Sequence, residues 1–154
     1  MKFLHISDLH IGKRVNGFSM IEDQKYILKQ ILEIAEKKQV DGVLIAGDIY
    51  DKPVPSAEAV QVLDQFLTEL AEQKRMVFLI SGNHDTAERI AFGAQLMKWK
   101  NIYLSPVYDG KITKVLLTDS YGEIFIYLMP FIKPAVVRHV LEGELPETYH
   151  DAVK

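Results

Sequence analysis

Short apolar runs of strand length recur along the first half of the chain. They lie at 2–7, 42–46 and 76–81, and they are rich in β-branched residues. Patterns with helical periodicity follow each run. This β-α-β-α-β-α order predicts an α/β fold with a parallel sheet and right-handed crossovers.

Helix signals mark the segments between these runs. Ser19 and Glu22 have the spacing of a capping box, which predicts a helix with Ser19 as its N-cap that runs to about Gln39. Pro55-Ser56 is expected to start a second helix over about 57–73, and Thr86 precedes a shorter one over about 87–99. The predicted apolar faces of the first two helices are Ile27, Leu28, Ile31, Leu32, Ile34 and Ala35, and Val60, Leu63, Leu67 and Leu70.

The pattern changes after about residue 100. Asn101–Ser105 has the character of a short strand, and Lys111–Thr118 and Glu123–Met129 are β-rich runs. Asp119-Ser120-Tyr121-Gly122 joins the two runs, which predicts a hairpin. One or two helical turns are expected over 135–141, and a further helix from about 147.

Composition excludes several classes of protein. The chain has 154 residues, of which 48% are hydrophobic and 25% charged, as expected for one globular domain. It has no cysteine, which excludes disulfides, thiolate metal sites and a cysteine nucleophile. No apolar run reaches the ~18 residues of a membrane span, and no signal peptide is recognisable, so a cytoplasmic location is the default expectation. A net charge of −3 neither indicates nor excludes nucleic-acid binding.

A polar motif follows each of the three predicted strands. The motifs are Asp8-Leu9-His10, Gly47-Asp48 and Gly82-Asn83-His84-Asp85. Because ligands bind at the carboxyl ends of strands in an open parallel sheet, the three motifs are expected to meet at one edge. Taken singly, each motif has an ordinary explanation as a turn, a loop or a helix cap. Together they predict a metal site for phosphate-ester chemistry.

Each motif residue can be given a chemical role. Asp8 and His10 can share a divalent metal of the Mn, Fe or Zn kind. Asp48 can bridge two metals ~3.5–4 Å apart, and Asn83 offers an amide oxygen. His84 is a candidate general acid.

Two further carboxylates each have two alternative roles. Asp85 either orients His84 or caps the following helix. Asp51 is either a second candidate to orient His84 or a solvated loop residue.

The series D-L-H, G-D-x-x-D and G-N-H-D resembles the calcineurin-like metallophosphoesterases. The longer stretches Phe3–Arg14, Glu22–Gln24 and Gly47–Asp51 are similar to DNA repair nucleases of the SbcD type. This resemblance implies a layered metallophosphoesterase sandwich and a two-metal phosphodiesterase, usually manganese-dependent, that acts on DNA ends. It also implies ligand roles for Asp8, His10 and Asp48 at the first metal and for Asp48 and Asn83 at the second, with His84 as the catalytic histidine.

The chain departs from this family after the hairpin. The family completes its site with later histidine motifs, and the remaining histidines here, His5, His139 and His150, lack their glycine context. His5 is expected to pack in the core and His139 to lie on a helix surface. Residues 1–154 are therefore expected to form the N-terminal portion of one nuclease domain, without a second domain, that binds at most one metal well and is weakly active or inactive alone.

Binding partners are suggested by the position of two basic residues and by the same resemblance. Lys13 and Arg14, just past His10, are candidates for holding DNA phosphates, although ordinary surface charge explains them equally well. The resemblance implies an SbcC-type ATPase partner and a homodimer, for which the helices at about 57–73 and 87–99 are candidates. A phosphoesterase acting on nucleotides, cyclic nucleotides or phosphoproteins, and a non-catalytic binding fragment, remain as alternatives.

Overall fold

A computed structural model describes residues 1–140 and 146–153. The strands are β1 (Phe3–Ile6), β2 (Arg14–Val15), β3 (Phe18–Ser19), β4 (Gly42–Ala46), β5 (Met76–Ile80), β6 (Ile102–Leu104), β7 (Thr113–Asp119) and β8 (Gly122–Leu128). The helices are α1 (Ile21–Lys37), α2 (Ala57–Glu72), α3 (Ala87–Ile90), α4 (Ala94–Lys98), α5 (Pro134–Val140) and α6 (Tyr149–Val153).

Four strands form a parallel sheet in the order β1-β4-β5-β6. Phe3 pairs with Gly42, and Gly42 pairs in turn with Met76. Since these are the first residues of β1, β4 and β5, the three strands begin at the same level of the sheet. The predicted α/β fold with a parallel βαβαβ half and a following hairpin is confirmed. In this alignment the segments that leave β1, β4 and β5 emerge at the same edge.

Each face of the sheet is covered by a different layer. On one face, Val43 and Val77 pack with the apolar sides of α1 and α2 in the larger core cluster. On the other face, Phe78 packs against Leu117 and Leu128 of the antiparallel β7–β8 hairpin. The ring of Phe78 also stacks on that of Tyr103, with centroids 5.0 Å apart. The result is a helix–sheet–hairpin sandwich.

The start of α1 differs from the sequence prediction. Its N-cap is Met20, whose side chain makes no capping hydrogen bond. Ser19 instead pairs with Arg14 in the short β2–β3 hairpin, and its Oγ lies 3.4 Å from the amide of Ile21. The predicted capping box is therefore wrong, because the helix begins one residue later, after Met20, while Ser19 takes part in strand pairing that the sequence reasoning missed.

The apolar faces of the two long helices are only partly as predicted. Leu28, Leu32 and Ala35 are buried on α1, but Ile27 and Ile34 are 50% and 46% exposed. On α2 the predicted residues Leu63, Leu67 and Leu70 are buried, whereas Val60 is 45% exposed. Ala59, Val62 and Phe66 complete the buried face of α2, whose N-cap is Ser56 as predicted. The buried side of α1 is thus narrower than its apolar pattern suggests, whereas that of α2 is shifted away from Val60.

The single helix predicted over about 87–99 is also wrong. Gly93 takes a left-handed conformation, with φ +74°, and divides the segment into α3 and α4. The predicted strand at 101–105, the hairpin and the helices near 135 and 147 are confirmed, while residue 141 lies outside the described residues.

His5 is exposed rather than packed in the core. It lies on the hairpin side of β1, as Phe3 does, but the hairpin packs mainly over β5 and leaves this edge position uncovered. His139 is exposed on α5, as predicted. Within the described ranges, no helix has the length and apolar character needed to cross a membrane.

Candidate metal centre

Backbone hydrogen bonds hold the first two motifs side by side beyond the ends of β1 and β4. The amide of Asp8 donates to the carbonyl of Gly47 (3.1 Å), and that of His10 donates to the carbonyl of Asp48 (2.9 Å). The amide of Ile11 continues the pattern with the carbonyl of Ile49 (2.9 Å). The two loops therefore extend the parallel pairing of the strands and bring the motif side chains to the same edge.

Asp8, His10 and Asp48 share an uncommon backbone conformation. Their φ angles are +56°, +43° and +50°, all in the left-handed region that residues with a Cβ rarely adopt. Such strain persists only where the surroundings impose it, and it clusters at functional sites.

The three side chains converge. Nε2 of His10 lies 3.8 Å from Oδ1 of Asp8 and 3.9 Å from Oδ2 of Asp48, and one ligand atom from each residue falls within 4.8 Å of the other two. Two carboxylates this close repel each other, and a cation between them would remove the repulsion. Two carboxylate oxygens and one imidazole nitrogen are a donor set that suits a divalent metal of the Mn, Fe or Zn kind. The residues present thus fit the metal that the sequence predicted.

The other nitrogen of His10 is in an unusual environment. Nδ1 is buried without a hydrogen-bond partner among the described residues, and Oδ1 of Asp51 lies 3.8 Å away. Histidines that ligate metals usually donate their second N–H to a carboxylate or a carbonyl. Asp51 is therefore placed to orient His10 through its side chain, a role that sequence reasoning did not assign to it.

His84 is fixed by contacts with both neighbouring loops. Its amide donates to Oδ1 of Asp48 (3.0 Å), and its ring packs edge-on against that of His10, with centroids 4.8 Å apart. Nδ1 lies 3.2 Å from the carbonyl oxygen of Asp51. Because a carbonyl can only accept, this contact requires a proton on Nδ1, and Nε2 is the nitrogen left to exchange one. Asp51 thus contacts His84 through its main chain.

Asp85 makes hydrogen bonds that neither of its sequence interpretations described. Its carboxylate accepts from the amides of Ile49 (3.1 Å), Tyr50 (3.0 Å) and Gly82 (2.8 Å). Asp48, in the loop after β4, accepts in turn from the amide of His84, in the loop after β5. Each of these two loops therefore supplies one carboxylate that binds amides of the other. Burial raises the pKa of Tyr50 to about 12, and the charges of Asp85 and Asp64 add to the shift.

The close approach of these loops requires a glycine. A Cβ built on Gly82 would collide with the amide nitrogen and the carboxylate of Asp48. Asn83 follows directly and lines a cleft of about 690 Å³ together with Asp8 and Asp48. The structure therefore brings the predicted metal-site residues Asp8, His10, Asp48, Asn83 and His84 to the same edge.

Gln24 supports the first loop from α1. Its side-chain amide donates to the carbonyls of Leu9 (3.1 Å) and His10 (2.7 Å), and its Oε1 accepts from the amide of Gly12 (3.0 Å). Sequence reasoning missed this role. The available signal was a polar residue four positions before Leu28, on the buried side of the helix.

The candidate phosphate-binding residues lie at the border of the site. Lys13 is exposed and lines a cleft with Asp8. Arg14 is exposed, donates to the carbonyl of Gly17, and shares another cleft with Asp51 and Lys52. Both side chains are therefore accessible to a ligand at this edge.

The chain is similar in sequence to proteins of known family. The sequence pattern of the family described as calcineurin-like phosphoesterase matches residues 1–140. One relative, from Staphylococcus epidermidis, is named as a component of the nuclease SbcCD and is 34% identical over 154 residues. The match covers 99% of this chain and 40% of the relative, so the chain spans less than half the length of that protein.

Proposed function

Because the chain belongs to the calcineurin-like phosphoesterase family, we propose that it is the N-terminal portion of a metal-dependent nuclease domain. The reaction is hydrolysis of phosphodiester bonds in DNA. The observation that carries the proposal is the convergence of Asp8, His10 and Asp48 beside His84 at the carboxyl edge of the sheet. The nuclease name of the relative supports DNA as the substrate.

The metals are held by residues from all three loops. Asp8, His10 and Asp48 hold the first cation, and Asp48 and Asn83 contribute to a second. Manganese suits this mixture of oxygen and imidazole ligands. When bound, the two cations neutralise charge on the phosphodiester and lower the pKa of an attacking water. The second set has only two of our proposed ligands, so we expect one tight site on this chain.

His84 carries the proton that the leaving oxygen needs. The hydrogen bond from its backbone amide to the carboxylate of Asp48 and the contact of its Nδ1 with the carbonyl of Asp51 fix the ring beside the proposed ligands. Nε2 then donates its proton to the departing oxygen as general acid. Asp51 acts as a positioning residue, holding His84 through its carbonyl and facing His10 with its carboxylate.

Binding partners are proposed from exposed surfaces and from the relative. Lys13 and Arg14 hold phosphates of the DNA strand at the border of the site. A homodimer forms through α2 and the α3–α4 segment, where Phe92 and Trp99 are 83% and 84% exposed. An SbcC-type ATPase is the proposed assembly partner, since the relative is named as one component of SbcCD.

The function is tested by hydrolysis of end-labelled DNA in the presence of Mn²⁺. The comparison uses this chain, a longer chain that covers the length of the relative, and the variants His84→Ala and Asp48→Asn of each. His139→Ala is the matched control, because it removes an exposed histidine on α5. We expect metal-dependent cleavage by the longer chain, its loss in both site variants, and no change in the control.

Other outcomes separate the alternatives. Hydrolysis of nucleotides or phosphopeptides in preference to DNA would identify a different phosphoesterase. DNA binding without metal-dependent cleavage by either chain would instead support a binding module. Calorimetry with Mn²⁺ counts the sites, and two tight sites on this chain would contradict our expectation of one.

A further inference from the structure

The cleft beside the proposed metal site has a second wall of different character. Asp8, Asp48 and Asn83 line one side, and the other side is formed by the segment after β8 and by α6. The side chains of this second wall are apolar or aromatic: Met129, Phe131, Ile132, Tyr149 and Val153. A volume of about 690 Å³ is within the ~300–1,000 Å³ typical of sites for small ligands.

Two aromatic rings dominate the apolar wall. The ring centroids of Phe131 and Tyr149 lie 5.7 Å apart, with the planes tilted by 40°. Phe131 is 39% exposed and Tyr149 is 55% exposed, so aromatic surface remains open to a ligand. We name these two residues the aromatic pair.

One member of the aromatic pair, Phe131, is attached to a loop of the metal site. The amide of Phe131 donates to the carbonyl of Ser81 (2.9 Å), and Ser81 directly precedes Gly82 and Asn83. The backbone of Phe131 is therefore attached to the loop that supplies Asn83, and Tyr149 packs on the ring of Phe131. A ligand in this cleft meets oxygen ligands at one end and aromatic faces at the other.

We propose that the aromatic pair is a nucleobase subsite for the substrate. This inference rests on the proposed function, since it places the scissile phosphate at Asp8, Asp48 and Asn83. The base of an adjacent nucleotide then stacks on Phe131 or Tyr149. Stacking is tolerant of sequence because every base has a π-face, which suits an enzyme that acts on DNA of any sequence. An unpaired base is required, so the subsite selects single-stranded or frayed ends.

Binding of two small phosphates tests the subsite. The ligands are dAMP and 2-deoxyribose 5-phosphate, which share the sugar and the phosphate and differ in the base. Calorimetry with this chain in the presence of Mn²⁺ gives both affinities. A base–aromatic stack of about 1–3 kcal/mol corresponds to ~5–150-fold in affinity, so dAMP should bind more tightly by that factor.

Variants assign the difference to the aromatic pair. Phe131→Leu combined with Tyr149→Leu keeps apolar volume but removes both rings, and should bring the two affinities to within about twofold. Phe125→Leu is the matched control, because Phe125 is 41% exposed on the separate hairpin. It should leave the ratio unchanged. Unchanged Mn²⁺ affinity in each variant verifies that the metal site has kept its structure.

The failure of this inference differs from failure of the proposed function. Equal, Mn²⁺-dependent binding of both phosphates by the unmodified chain would overturn the subsite and leave the proposed function standing. A preference for dAMP that survives in the double variant would overturn the assignment to the aromatic pair. If neither phosphate binds in a Mn²⁺-dependent way, the proposed function fails and the subsite fails with it. As a measurement independent of variants, a 2-aminopurine nucleotide should lose fluorescence on binding, and constant fluorescence of the bound nucleotide would refute stacking.

Discussion

Replacement of Asp85 by asparagine tests how the loop after β4 and the loop after β5 are held together. The carboxylate accepts three amide hydrogen bonds, with Ile49 and Gly82 on Oδ2 and Tyr50 on Oδ1. Asparagine has one oxygen in place of two. In its better orientation, the asparagine oxygen keeps the hydrogen bonds from the amides of Ile49 and Gly82. Its NH₂ group then points towards the amide of Tyr50, which is also a donor.

The expected cost follows from these bonds. At least one donor loses its acceptor, and the remaining two face a neutral oxygen in place of a charged one. A hydrogen bond to a charged group contributes about 1.5–3 kcal/mol, roughly twice the contribution of a neutral one. We therefore expect Asp85→Asn to lower the free energy of unfolding by about 2–4 kcal/mol.

The metal site should respond as well. Asp48 lies directly before Ile49, so loosening the amides of Ile49 and Tyr50 frees the loop that carries this proposed ligand. Loss of a group that orients metal ligands typically costs about 10–100-fold in metal affinity. We expect Mn²⁺ affinity to fall by that factor, as measured by calorimetry.

Urea unfolding in the presence of a chelator measures stability without the contribution of bound metal. Asp64→Asn is the matched control, since Asp64 is an exposed carboxylate on α2 whose charge also raises the pKa of Tyr50. It should change stability by less than about 0.5 kcal/mol. A loss below about 1 kcal/mol in Asp85→Asn, with unchanged Mn²⁺ affinity, would refute the cross-linking role.

Three further predictions concern the same site. Gly82→Ala should reduce Mn²⁺ affinity and lower the melting temperature, because its Cβ would collide with Asp48; an unchanged thermal scan would contradict the close approach. Gln24→Ala should destabilise the chain by about 1–3 kcal/mol in urea unfolding, since it leaves the amide of Gly12 and two carbonyls without their partner. Gln30→Ala, on the exposed side of α1, is its control and should have little effect. Tyr50 has a pKa raised to about 12, so its neutral form stabilises the fold below pH ~10, and this contribution is lost as pH rises towards 12. Tyr50→Phe should therefore flatten the stability curve over this alkaline range, and an identical alkaline curve would count against the burial of Tyr50.

The strands and motifs could be predicted because their signals are local. An apolar run such as 42–46 ends at Gly47, and the change from apolar to polar residues marks both the strand and the edge of the sheet. Exposure of Ile27 and Val60 could not be predicted in the same way. Both fit the helical period, but burial depends on how much of each helix the sheet and the neighbouring helix cover. Ser19 shows the same limit, since two-residue strands leave no recognisable pattern.

The identity of the proposed ligands could be predicted from short motifs, but the way in which they are held in place could not. Motif residues identify the proposed ligands, yet the positive φ angles of Asp8, His10 and Asp48 are unfavourable by about 1–3 kcal/mol each. Their own sequence cannot maintain that conformation, so the cost must be offset by bonds from other segments. Gln24 supplies them from α1, and Asp85 from the loop after β5. Since these bonds join protein groups to one another, the positions of the proposed ligands depend on Gln24 and Asp85. Metal affinity should therefore depend on Gln24 and Asp85 even though neither belongs to the converging ligand set.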